Sequence, residues 1–221
     1  MKKVSLVIVT ITVLAIVSGA GLPVGEAVKM LPTGGDYNVA CLDYGLEMRN
    51  GTVVKSCLLS TSGDFTTAGG QQIACAAKYS ISFSTAGKVE YCTLSRDMVF
   101  RRTMKDTVEC RAGGRVSFYP EGTIESARLK ASVQLPYGKN AVVACRSDSP
   151  IAFRVDGNVA TCILDQEGLF GSATKNKTAS TCRAGSMISF DDAGAFSGCS
   201  PPTPVKETAS SKAITQGGQV K

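Results

Sequence analysis

Over most of its length the chain alternates apolar and small polar residues with period two, as at Val116, Ser117 and Phe118 in "RVSF". Strict alternation marks half-buried strands and not helices, and no helical stripe follows the apolar leader. The pattern recurs. "ISF", "VSF", "IAF" and "ISF" end at Phe83, Phe118, Phe153 and Phe190, each followed by a turn closing on Gly87, Gly122, Gly157 or Gly194, with Gly51 holding that place in a more divergent first copy. Glycine takes positive φ there without a Cβ penalty, as tight hairpin turns require. "RNGTVVKSCLL", "TAGKVEYCTL", "PEGTIESARL" and "VDGNVATCIL" then align Cys57, Cys92, Ala127 and Cys162 at intervals of 35, and "DAGAFSGCS" adds Cys199 after 37.

A second series runs in phase with the first: Cys75, Cys110, Cys145 and Cys182 close "IAC", "VEC", "VAC" and "STC", and Cys41 in "NVAC" is an earlier member. Leu59, Leu94, Leu129 and Leu164 are each followed six residues later by Phe65, Phe100, Leu135 or Phe170. Five tandem units of about 35 residues are therefore expected over 38–199, in an all-β fold of hairpin or meander repeats. One such unit buries too little to stand alone, so neighbours must stack in a solenoid-like array; a closed five-unit ring or propeller-like arrangement is the alternative.

The segment "GRVSFYPEGTIES" resembles the variant MORN-type hairpin repeats of bacterial surface and periplasmic proteins, in which a Gly, an aromatic strand end and a turn Gly recur. The period here is longer than is usual in that family, and its Trp position has no counterpart in a chain without Trp. The resemblance implies a β-hairpin array used for contact or scaffolding. It carries no catalytic residues across.

Composition changes this picture mainly at the ends. "MKKVSLVIVTITVLAIVSGAGL" places two lysines before an apolar run that closes on Ser18, Gly19 and Ala20, the pattern of a secretory signal peptide. Residues 1–20 are expected to be removed, leaving an extracytoplasmic chain (periplasmic, surface or secreted) with no stable membrane span in its mature form. A linker over 21–37 and a disordered tail over 200–221, rich in Pro, Ser, Lys and Gly, would flank the β domain. Lys2 and Lys3 account for two units of the formal net charge of +6, and the tail carries two more net. The folded part is thus nearly neutral, without a basic stripe interleaved with aromatics, so nucleic acid is excluded as an expected partner. The doublet Arg101 and Arg102 reads as a solvated loop.

Nine cysteines in an exported chain indicate disulfides. Pairing within units joins Cys41 to Cys57, Cys75 to Cys92, Cys145 to Cys162 and Cys182 to Cys199, and leaves Cys110 as a free thiol because its mate is Ala127. A rival scheme joins Cys57 to Cys75, Cys92 to Cys110 and Cys162 to Cys182, closes a ring through Cys41 and Cys199, and leaves Cys145 over. Counting does not separate the two. The in-unit scheme is the preferred expectation, although on a flat three-stranded meander its cysteines would lie about 10 Å apart, out of disulfide range.

With no histidine in the chain, Ser-His-Asp and Cys-His mechanisms are excluded. Neither CxxC nor histidine ligands exist for zinc, and no cofactor is expected. Asp156, Asp165, Asp191 and Asp192 are available for a carboxylate pair, yet Asp156 and Asp192 adjoin repeat turns, where Asp serves local hydrogen bonds. The expected function is non-enzymatic: a binding or structural module at the bacterial cell envelope, its partner an unknown protein or an envelope glycan. The alternative is a small carbohydrate-active hydrolase using an Asp/Glu pair.

Overall fold

The structure, a computed structural model, describes residues 27–35, 37–103, 106–138, 141–171 and 179–201. The leader over 1–20 and the tail beyond 201 lie outside the described residues. All regular structure among the described residues is strand. The first half contains β1 (Val28–Pro32), β2 (Asn38–Leu42), β3 (Glu47–Arg49), β4 (Val53–Leu58), β5 (Gly63–Thr66), β6 (Gln72–Cys75), β7 (Ser80–Phe83), β8 (Val89–Thr93), β9 (Met98–Arg101) and β10 (Thr107–Cys110). The second contains β11 (Arg115–Phe118), β12 (Ile124–Arg128), β13 (Val133–Tyr137), β14 (Ala141–Cys145), β15 (Pro150–Phe153), β16 (Val159–Ile163), β17 (Gly168–Phe170), β18 (Ser180–Cys182), β19 (Met187–Phe190) and β20 (Phe196–Cys199).

Successive hairpins go alternately to two places. The hairpins β3–β4, β7–β8, β11–β12, β15–β16 and β19–β20 join edge to edge in one ten-stranded antiparallel sheet. The hairpins β1–β2, β5–β6, β9–β10, β13–β14 and β17–β18 remain separate two-stranded sheets packed on its inner face. Alternation dictates this. In β11, Val116 and Phe118 are buried, whereas Arg115 faces water and Ser117 is half-buried, so one face of the sheet has to be covered. The two sequence series meet across the layers: ring centroids are 5.9 Å apart for Phe65 and Phe83, 5.4 Å for Phe100 and Phe118, and 6.5 Å for Phe170 and Phe190. Edge-to-face pairs of this kind add to the burial of the aromatic area.

The sheet is open. Its terminal strands are β3 and β20, which do not pair with each other, so the closed ring that the sequence left as an alternative is not formed among the described residues. The segment 21–37, expected as a linker, also differs, because it contains β1, paired with β2 from Val28↔Leu42 to Pro32↔Asn38. Val28, Lys29 and Met30 are all exposed, so β1 contributes backbone hydrogen bonds and little buried side chain. A strand held that way leaves no alternation to read.

Each junction between neighbouring hairpins of the sheet is made in the same manner. Two consecutive amides leave the chain just after the second strand, one for the next hairpin and one for the overlying layer. Leu59 N–H donates to the Tyr79 carbonyl (3.1 Å) and Ser60 N–H to that of Ala40 (2.9 Å). Leu94 and Ser95 donate to Gly114 and Ala74, Leu129 and Lys130 to Ser149 and Glu109, and Leu164 and Asp165 to Ser186 and Ala144, all within 2.9–3.0 Å. Buried amides must be satisfied somewhere, and these eight bonds bind the layers and the neighbouring hairpins together.

Candidate functional site

Every disulfide crosses between the layers. Cys41 in β2 bonds Cys57 in β4, Cys75 in β6 bonds Cys92 in β8, Cys145 in β14 bonds Cys162 in β16, and Cys182 in β18 bonds Cys199 in β20. Their Cα atoms are 5.8 to 6.0 Å apart, within ordinary disulfide reach. A flat meander would have prevented this; stacking one hairpin over another brings the cysteines face to face. None of the rival pairs is present. Cys110 is free and buried. It bridges Leu129 as Cys41, Cys75 and Cys145 bridge Leu59, Leu94 and Leu164. Ala127, two residues before Leu129 and only 5% exposed, therefore stands where the other hairpins of the sheet carry the second cysteine.

Burial pushes the Cys110 thiol up to about 12. It stays protonated at neutral pH and is not a nucleophile there. On the outer side of the sheet an open groove of about 390 Å³ adjoins Ala127, between Arg115, Arg128, Asp148 and Pro150. Its charges are already paired: Asp148 lies 2.8 Å from the Arg128 Nε and 3.2 Å from Arg111, and the Arg115 guanidinium sits 3.9 Å over the Tyr91 ring.

Two of the four candidate carboxylates, Asp156 and Asp191, hold turns. Asp156 accepts hydrogen bonds from the Asn158 backbone N–H (2.9 Å) and the Asn158 side-chain amide (2.8 Å). Partial burial acts to raise its pKa, but those two bonds and the Arg154 guanidinium outweigh it and hold the carboxyl below its ordinary value. A general acid needs the opposite shift. Asp191 accepts from the Ala193 and Ala195 amides at 3.0 and 2.8 Å, the local bonding for which Asp is used in turns. Asp165 contributes its backbone N–H to the layer bond with Ala144, and Asp192 is exposed. Among the described residues no group of three or more His, Cys, Asp or Glu is placed to hold a metal ion.

Sequence reasoning missed the row of turns at one end of the molecule. The turns of β1–β2, β5–β6, β9–β10 and β13–β14 rest on those of β7–β8, β11–β12, β15–β16 and β19–β20, in each case one sheet hairpin beyond the one that the same overlying hairpin faces at its cysteine. A Cβ on Gly87 would lie 2.4 Å from the Gly35 nitrogen, one on Gly122 1.9 Å from that of Gly69, and one on Gly194 2.6 Å from the Gly138 Cα. At Gly157 the overlying residues are Arg102 and Thr103. Arg102 is accordingly 4% exposed, not solvated as the doublet suggested; its guanidinium donates to the Gly157 carbonyl and to Asp106, the latter at 2.8 Å. Its partner lies 55 residues away in sequence, and nothing local to the doublet indicates it. Tyr37 makes the corresponding tie to the Gly87 carbonyl at 2.6 Å.

These features define a class of architecture, an all-β protein of two layers pinned by disulfides. Comparison with family models, with curated proteins and with solved structures finds no match for the chain.

Proposed function

We propose that the chain is an exported β-repeat protein, five units long over 38–199 and stacked as an open, solenoid-like array, that serves as a non-enzymatic binding or structural module at the bacterial cell envelope. The observation that carries this reading is the set of four interlayer disulfides at one recurring position. Such bonds persist in oxidising compartments outside the cytoplasm and are rare within it. The rest of the molecule is consistent with a scaffold. Asp156, Asp191 and the buried Arg102 are engaged in holding turns, and the resemblance of its turn segment to MORN-type repeats points to contact, not catalysis. The partner would be an envelope protein or glycan, met by the regular outer faces of the array.

A pull-down with the oxidised, leader-free chain against separated envelope protein and glycan fractions tests this reading. Specific retention that is lost after reduction is the expected result. Absence of retention from both fractions, together with hydrolysis of any member of an oligosaccharide panel, would replace it with the hydrolase reading.

A further inference from the structure

We propose that Pro201 ends the ten-stranded sheet and prevents its extension by a second copy of this chain. At the four internal junctions the residue two places after Cys57, Cys92, Ala127 or Cys162 is a leucine whose N–H bonds the next hairpin, and the following residue bonds the overlying layer. Cys199 holds the same place in β20, and the residue two places on is Pro201. A proline nitrogen carries no hydrogen. The donor that reaches the next hairpin at every internal junction is thus absent at the last one.

In other respects β20 matches the strands that do continue the sheet. It pairs with β19 through Ser189↔Gly198 and Ile188↔Cys199, as β16 pairs with β15 through Ala152↔Thr161 and Ile151↔Cys162. At the opposite end β3 has no partner on its outer side among the described residues, and a Cβ on the turn residue Gly51 would meet nothing within 4 Å, whereas the later turns are covered. The two ends are complementary, because β3 of a second copy stands to β20 as β7, β11, β15 and β19 stand to β4, β8, β12 and β16 within the chain. The occupant excluded is therefore a second copy, and the contact would continue the junctions already present. A head-to-tail contact of this kind does not close on itself, so an uncapped edge would propagate into a fibre.

The test is a Pro201→Leu variant, which gives the last junction the leucine of the four internal ones. Sedimentation equilibrium of the oxidised, leader-free chain should show a monomer at all concentrations, and the variant should at least double its weight-average mass as concentration rises. A variant that keeps its four disulfides and its β-sheet circular dichroism yet stays monomeric would overturn the proposal. A second measurement needs no variant. In the unaltered chain, amide exchange in β20 should be the same at low and high protein concentration, and protection that grows with concentration would show the edge pairing despite Pro201.

Discussion

At Gly122 a single hydrogen atom is all that fits between two backbones. The added Cβ of Gly122→Ala would meet the Gly69 nitrogen, and the residue's φ of +88° is one that side-chain-bearing residues rarely adopt. That substitution should cost roughly 2 to 4 kcal/mol in urea unfolding. Gly51→Ala, with similar backbone strain but open space, should cost about 1 kcal/mol. Equal losses at the two sites would mean that the crossing of the turns is not what makes Gly122 necessary. Cys110 permits a test in the other direction. Ala127→Cys should form a fifth disulfide and stabilise by about 3 kcal/mol, with non-reducing peptide mapping showing the new Cys110 bond. The Cys110 thiol also sets a pH dependence. Its ordinary value is 9.0 and burial raises it to about 12, so the folded chain keeps a proton that the unfolded chain releases. Its contribution is fully present below pH 9 and is lost as pH rises from there to about 12; Cys110→Ala should flatten that part of the stability curve.

At the level of elements, the strands of 38–199 are legible because each buries one face and so alternates in sequence. β1 is not, since it is held through its backbone. The two in-phase cysteine series imply a partner for each member, but a linear repeat looks the same whether its second hairpin lies beside the first or on top of it. Only the distance limit on a disulfide argues for the folded-over arrangement. Arg102 escapes the sequence for a related reason: the contact with the Gly157 turn that buries it depends on how one layer lies over the other, which no local pattern encodes. The staples themselves are open to measurement. Replacing both Cys75 and Cys92 by Ala should cost about 2 to 5 kcal/mol and raise amide exchange first in β5 to β8, leaving β17 to β20 protected. If exchange instead rose evenly along the chain, the disulfide would not be acting on its own hairpins.

For the whole molecule, stability and compartment are linked. Four closed loops of this length contribute about 3 kcal/mol each in the chain-entropy account, comparable in total with the roughly 5 to 15 kcal/mol of a typical domain. Excess reductant should therefore lower the melting temperature steeply, and an unchanged melting temperature would show that the two-layer core alone sustains the fold. The missing bridge between Cys110 and Ala127 has a mechanical meaning as well. When the chain is pulled from its ends, a closed cystine loop cannot lengthen, so four of the five hairpin pairs keep about 17 residues each out of the extending contour. Only the pair in the middle can release its whole length, an extra run of about 60 Å at full extension. Stretched between two attachment points, the protein would behave as two stiff halves joined by a slack length that is hidden until the centre gives way.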